Sequence, residues 1–208
     1  MQRGFLIIIT GPASIGKDAV SSLICADSSL DITPCISYTT RPIGEFEAEG
    51  RDYHFVSRER FEQMKRDGEF LEVYEFEDAL YGTSREVLNQ LLDQGKNVLC
   101  TLSPTGAAKL LTLFDGPRTL SIYITLTDAD AFRHKLTTYG KTRIEERIAI
   151  AQQEASLAPR FDCTIISSSL QLTADQVRTM IHTSLQNGHK DPTLTKGTVF
   201  KGEGFLNR

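Results

Sequence analysis

The tightest constraint in this chain is a junction. The apolar run Phe5-Leu-Ile-Ile-Ile9 passes through Thr10 into Gly11-Pro-Ala-Ser-Ile-Gly16-Lys17, and Ala19-Val-Ser-Ser-Leu-Ile-Cys25 follows. A run of bulky and β-branched residues ended by Gly-Pro predicts a strand over 5–10 that is buried on both faces, and the apolar stripe after Lys17 predicts a helix. The spacing between them is GxxxxGK. Glycines at both ends let the backbone wrap so that its amides and the helix N-terminus face an anionic phosphate, while Lys17 reaches the outer phosphates. The fold that presents such a loop is built on parallel strands.

The rest of the chain continues the alternation. Residues 33–37, 70–76, 97–102, 119–125 and 161–167 have strand composition. Ser57 is placed to cap a helix over 58–66, with Phe61 and Met64 on one face and Gly68 past its end. Ser84 is placed to cap another over 85–94, with Val87, Leu88, Leu91 and Leu92 at helical spacing and Gly95 as its stop. A further helical stretch lies around 107–114, and Thr142-Arg-Ile-Glu145 and Thr173-Ala-Asp-Gln176 carry a capping-box pattern that opens two more. Strands and helices in alternation predict a parallel sheet covered by helices. Residues 39–53 read as loop with short strands. Beyond Asn187 the polar composition with isolated Phe200 and Phe205 predicts a tail that is mobile or docked on the surface.

Composition sets the class. With 208 residues the chain suits one α/β domain with room for a mobile sub-lobe. A formal net charge of −4 argues against broad nucleic-acid affinity, so any phosphate site is local. No apolar run reaches membrane-spanning length, and the first is too short, and lacks the cleavage site, for a secretory leader. Cys25, Cys35, Cys100 and Cys163 are far apart and show no CxxC spacing; small buried hydrophobes in a reducing cytoplasm are the expectation.

A second set of residues is more specific than the loop. Ser37-Tyr-Thr-Thr-Arg41-Pro, Asp52-Tyr53-His-Phe-Val-Ser-Arg-Glu-Arg-Phe61, Gly68-Glu-Phe-Leu-Glu72 and Leu80-Tyr81-Gly-Thr83-Ser-Arg85 resemble the guanylate kinase family in order, wording and spacing. The resemblance runs from Phe5 to the last helix and is densest from Ser37 to Arg85. It implies a P-loop NTPase-type parallel sheet flanked by helices, with an inserted nucleoside-monophosphate-binding subdomain and a lid. On that basis 1–187 is the guanylate-kinase-like domain, with core 1–36 and 96–187, acceptor-binding insertion 37–95 and lid about 133–147; 188–208 is the tail. By matched position Ser37, Glu72 and Thr83 contact the guanine edge, and Arg41, Tyr53 and Tyr81 bind the acceptor phosphate. Taken singly, Glu72 and the tyrosines fit an ordinary half-buried strand face. In this order they favour a site. A carboxylate accepts from guanine N1–H and its exocyclic amine, and a forked guanidinium suits phosphate.

The chain is a divergent member of this pattern. Asp18 stands where a Ser or Thr usually offers a hydroxyl to Mg²⁺; a carboxylate is a hard oxygen ligand, so Asp18 is the candidate metal ligand, and it equally suits the first turn of a helix as an acid. Gly44 occupies the place of a second phosphate-binding arginine, with Arg51 near enough to serve the same region. Thr101 and Ser103 stand where the family has acidic residues. The segment from Arg133 to Arg143 has fewer arginines than the family lid, while Arg147 matches a lid arginine, with Lys141 and Arg143 as helpers. Ile165-Ile-Ser-Ser-Ser169 lacks the Asn-Asp ending usual at the adenine pocket.

The expectation is Mg²⁺-assisted transfer of the ATP γ-phosphoryl group to GMP, with ATP and GMP as small-molecule partners and neither nucleic acid nor membrane involved. Lys17, Arg41 and Arg147 are the catalytic candidates. Gly11, Ser14, Ile15, Gly16, Lys17 and Asp18 form the ATP-phosphate site. Two rivals are a kinase for another phosphorylated acceptor such as ribose 1,5-bisphosphate, whose enzymes also carry Gly-Lys-Asp, and a non-catalytic guanylate-kinase-like binding module. The sequence carries no signal of oligomeric state.

Overall fold

The computed structural model describes residues 2–201. Two sheets organise them. The larger has six parallel strands in the order β10-β9-β8-β1-β7-β2. These are β1 (Leu6–Thr10), β2 (Ile32–Pro34), β7 (Asn97–Leu102), β8 (Thr119–Thr125), β9 (Cys163–Ile166) and β10 (Thr198–Lys201). The smaller has the order β4-β3-β6-β5, from β3 (Tyr38–Thr39), β4 (His54–Phe55), β5 (Phe70–Phe76) and β6 (Ala79–Ser84).

The unbroken apolar run of β1 follows from its central position. Phe5, Ile7 and Ile9 enter one core with α1 (Lys17–Cys25), α5 (Ala129–Thr138), α6 (Ile144–Ala155) and α7 (Leu170–Asn187), whereas Leu6 and Ile8 enter another with α3 (Arg85–Asp93) and α4 (Pro104–Phe114). Every residue of β1 is buried, as a strand covered on both faces requires. A third core, Phe61, Met64, Phe70 and Leu80, joins α2 (Arg58–Arg66) to the small sheet. The β5–β6 hairpin turns through Glu77 and Asp78 at φ 48° and 64°, two successive left-handed residues of the kind that match strand twist.

Ser57 and Ser84 cap α2 and α3 as expected, accepting from Arg60 N and Val87 N. Three expectations need correction. Helix α4 starts at Pro104, earlier than the stretch 107–114, because Ser103 caps it by accepting from Gly106 N. Helix α7 starts at Leu170, capped by Ser169; Thr173 is buried in its first turn and donates to Ser169 O at 2.7 Å, so it opens nothing. No capping box forms at Thr142: Arg143 enters α6 left-handed at φ 54° without a side-chain cap, and the Thr142 carbonyl instead accepts from Arg147 Nε at 3.0 Å. The tail docks as a strand, β10 adding to the edge of the large sheet in parallel register with β9. Lys190 anchors its approach through Asp162 at 2.7 Å. Residues 202–208, with Phe205, lie outside the described residues.

Candidate active site

At the carboxyl end of β1 the chain turns into the glycine loop. Gly11 lies at φ 143° with a hypothetical Cβ falling on the carbonyl oxygen of Ile124, so only glycine lets the loop leave the sheet at this angle. Ser14 holds a left-handed φ of 66°, a strained backbone of the sort that a binding loop retains. Gly16 is the N-cap of α1 and carries no side chain there, leaving the first amides of the helix open. Lys17 folds back over the loop and donates to the Gly11 and Pro12 carbonyls at 2.8 and 2.9 Å. Its ammonium titrates below its ordinary value because burial disfavours the charge, against the pull of Asp18 and Glu154.

A cleft of about 470 Å³ opens in front of the loop, between the two sheets. Gly11, Ser14, Lys17 and Asp18 line it from the loop side; Ser37, Arg41, Tyr53, Glu72 and Tyr81 line it from the small sheet and the segments leading into it. Arg147 and Lys141 reach it from α6 and the turn before α6. Three expected residues stand back from its wall. Ile15 packs in the β1–α1 core, Gly16 contributes backbone, and Thr83 is fully buried behind Glu72.

Glu72 is buried at 3 % exposure, and one of its oxygens accepts from Thr83 Oγ1 at 2.7 Å. Burial raises its pKa, with the Thr83 hydroxyl and the charge of Lys109 opposing. Arg41 forks onto Glu47 at 2.7 and 2.8 Å and lies 5.4 Å from the Tyr53 ring centroid. Glu47 raises the pKa of Arg41, and burial raises that of Tyr53. Arg51 does not join this group: its guanidinium is held by Asp52 at 2.7 Å and by the Phe46 carbonyl at 2.6 Å. Thr101 and Ser103 have found other work, Thr101 sharing a 2.7 Å hydrogen bond with Ser21 and Ser103 capping α4. Arg143 turns to Glu146 with two bonds of 2.6 Å and leaves Arg147 as the arginine of α6 on the loop.

Three carboxylates of the site escaped sequence reasoning: Glu47, which holds Arg41, and Glu154 and Glu77. Glu154, one face of α6 away from the loop, is buried, lines the cleft and lies within electrostatic reach of Lys17. Burial pushes its pKa to about 7, and Lys17 and the Tyr74 hydroxyl, which donates at 3.5 Å, pull it back. Glu77, at the hairpin turn, pairs with Arg147. The i,i+7 spacing of Arg147 and Glu154 on a predicted helix is the one signal that places Glu154 on the cleft side; nothing in the sequence points to Glu77.

A phosphate loop at the end of a parallel sheet, with a second lobe facing it across a polar cleft, places the chain among the nucleoside-monophosphate kinases, a class of phosphotransferase. Within that class it belongs to the guanylate kinase family, whose model matches residues 3–184. It is 33 % identical over 183 residues to the guanylate kinase of Enterococcus faecalis, covering 86 % of this chain and 89 % of the relative. It is 38 % identical over 168 residues to that of Thiobacillus denitrificans, covering 79 % and 78 %. A crystal structure of guanylate kinase from Anaplasma phagocytophilum superposes with a TM-score of 0.71 at 25 % identity, over 88 % of this chain and 86 % of that one.

Proposed function

We propose that the protein transfers the γ-phosphoryl group of ATP to the phosphate of GMP, giving ADP and GDP. The observation that carries this reading is one cleft walled on one side by the phosphate loop and on the other by the buried Glu72, with Thr83 bonded to it from behind. Lys17 and the loop amides hold the ATP phosphates. Arg41, Tyr53 and Tyr81 hold the acceptor phosphate, Ser37 and Glu72 take the guanine edge, and Thr83 orients the Glu72 carboxylate from behind. A buried carboxylate matches the two donors of guanine, whereas adenine leaves it without a partner. Arg147, on α6 and touching Ser14, is placed to neutralise charge on the phosphoryl group in flight. No protein nucleophile is required, because positioning and electrostatics carry phosphoryl transfer.

Mg²⁺ is the metal this chemistry uses, neutralising charge on the phosphates of ATP. Among the described residues no group of three or more His, Cys, Asp or Glu is built to hold a metal. That suits Mg²⁺, which takes one or two carboxylates and draws its other ligands from phosphates and water. Asp18, exposed at the first turn of α1 and lining the cleft, is the residue that would hold it. Among the described residues no helix is long and apolar enough to cross a membrane. All four cysteines are free, which fits a reducing cytoplasm. The guanine-matched pair and the family relationship both favour GMP over ribose 1,5-bisphosphate, and an intact loop with Lys17 favours catalysis over a silent binding module.

The test is ADP release from Mg-ATP and GMP by the wild type and by Lys17→Ala. Loss of the ammonium from the outer phosphates should cut kcat by roughly 100-fold or more. Unchanged turnover by Lys17→Ala would remove the loop from the mechanism.

A further inference from the structure

Arg147 is almost fully enclosed. It is 8 % exposed, and each nitrogen of its guanidinium is engaged: Nε donates to Thr142 O at 3.0 Å, Nη1 to Ser14 Oγ at 3.1 Å and Nη2 to Glu77 Oε1 at 2.5 Å. The Phe76 ring lies beneath it, with Cζ 5.0 Å from the centroid. Three separate parts of the chain therefore meet at one cation: the phosphate loop, helix α6 and the tip of the β5–β6 hairpin.

These partners differ in kind. Thr142 O and Phe76 orient the arginine from its own end of α6 and from the hairpin strand. Ser14 is a neutral hydroxyl of the loop that faces phosphate. Glu77 is the anion in the set, and it is more than a third exposed, on a turn that holds it in a left-handed conformation. A carboxylate and a phosphoryl group present similar oxygens to a guanidinium, and both bind it through charge-assisted hydrogen bonds. With all three nitrogens committed, a phosphoryl group at Ser14 gains Arg147 by displacing one of the present partners. The exposed carboxylate is the cheapest to displace, since it returns to water on leaving. Glu47 stands in the same relation to Arg41 on the acceptor side, so both phosphate-facing arginines of the cleft carry a carboxylate.

We propose that Glu77 is a positioning residue for the reaction: it holds Arg147 beside the phosphate loop between turnovers, and the γ-phosphoryl group of ATP takes its place. This rests on the reading of the cleft as an ATP site. Glu77 then competes with the γ-phosphate for one cation. It keeps a buried guanidinium compensated while the site is open, and lowers affinity for ATP in exchange.

The experiment is calorimetric titration of wild type and Glu77→Gln with Mg-ATP and with Mg-ADP, in the absence of acceptor, followed by steady-state kinetics with GMP. Gln keeps the shape and the turn and removes the charge; Glu77→Ala serves as the second variant. Both variants should bind ATP roughly three- to tenfold more tightly than wild type, the size of a partly exposed ion pair that ATP no longer has to break. ADP, which lacks the competing group, should bind as before. The KM for ATP should fall with the KM for GMP unmoved. A purely structural role for Glu77 predicts the reverse split, because a loosened hairpin disturbs Tyr81 and Thr83 on β6 and raises the KM for GMP. ATP affinity that is unchanged or weakened, or ATP and ADP tightened equally, would overturn the proposal. The titrations need no acceptor, so absence of GMP turnover would count against the proposed function and leave this inference readable.

Discussion

Thr83 donates its hydroxyl to Glu72 at 2.7 Å from directly across an antiparallel strand pair, and the two residues are 0 % and 3 % exposed. A hydroxyl that spends its one proton this way leaves the second carboxylate oxygen of Glu72 for another donor. The pair is an acceptor set into the wall of the cleft, and its rigidity comes from the strands.

Selectivity for guanine should fail first at this pair. Glu72→Gln replaces an acceptor-only group by one that presents an NH₂ to the guanine donors. Losing a charge-assisted hydrogen bond costs about 1.5–3 kcal/mol, hence a roughly 10- to 100-fold fall in kcat/KM for GMP. Thr83→Ala should show a smaller loss of the same kind, near fivefold for about 1 kcal/mol. The KM for ATP should be unaffected in both. Steady-state kinetics with each substrate varied in turn checks this.

Glu154 should make stability depend on pH. Its folded pKa, about 7, lies above the ordinary 4.5 because burial disfavours its charge by more than Lys17 and the Tyr74 hydroxyl favour it, so the native state holds a proton that the unfolded chain has released. For a raised carboxyl pKa, stability is greatest below the unfolded value and falls as pH rises through the folded one. Between pH 5 and 8 the wild type should lose about 1–2 kcal/mol through this group, or roughly 3–6 °C in Tm. Glu154→Gln, which cannot ionise, should lack that component. Thermal melts of both proteins across the range give the comparison, and parallel curves would show that Glu154 does not titrate there.

The fold was legible where the pattern is local. β1 is a continuous apolar run because both its faces are covered, and Ser57 and Ser84 cap helices because a hydroxyl at the N-cap meets an open amide wherever the apolar stripe begins. The capping boxes misled because the helices start elsewhere. Arg143 enters α6 left-handed without a side-chain cap, and Thr173 lies inside the first turn of α7 with its hydroxyl bonded to Ser167 and the Ser169 carbonyl. The added strand β10 depends on pairing with β9, more than thirty residues earlier, and a polar tail gives no sign of that.

The site divides in the same way. The loop and the residues from Ser37 to Thr83 form contiguous motifs. Glu77 and Glu154 are single carboxylates on ordinary elements, and only folding brings them to Arg147 and Lys17. Gly106 belongs with them: a Cβ there would run into Glu72 Oε2, so the first turn of α4 is shaped around the buried carboxylate. No local pattern marks such a glycine, since the group that requires it lies on β5.

One cleft that joins ATP to a guanine nucleotide is checked by ADP release from Mg-ATP with GMP, dGMP, AMP, UMP or ribose 1,5-bisphosphate as sole acceptor. Turnover is expected with the guanine nucleotides, and a kcat/KM for GMP exceeding that for AMP by roughly 10⁴-fold, the discrimination of a site whose buried polar groups are left unpaired by the wrong base. GMP binding without turnover of any acceptor would contradict this expectation, as would a preference for ribose 1,5-bisphosphate.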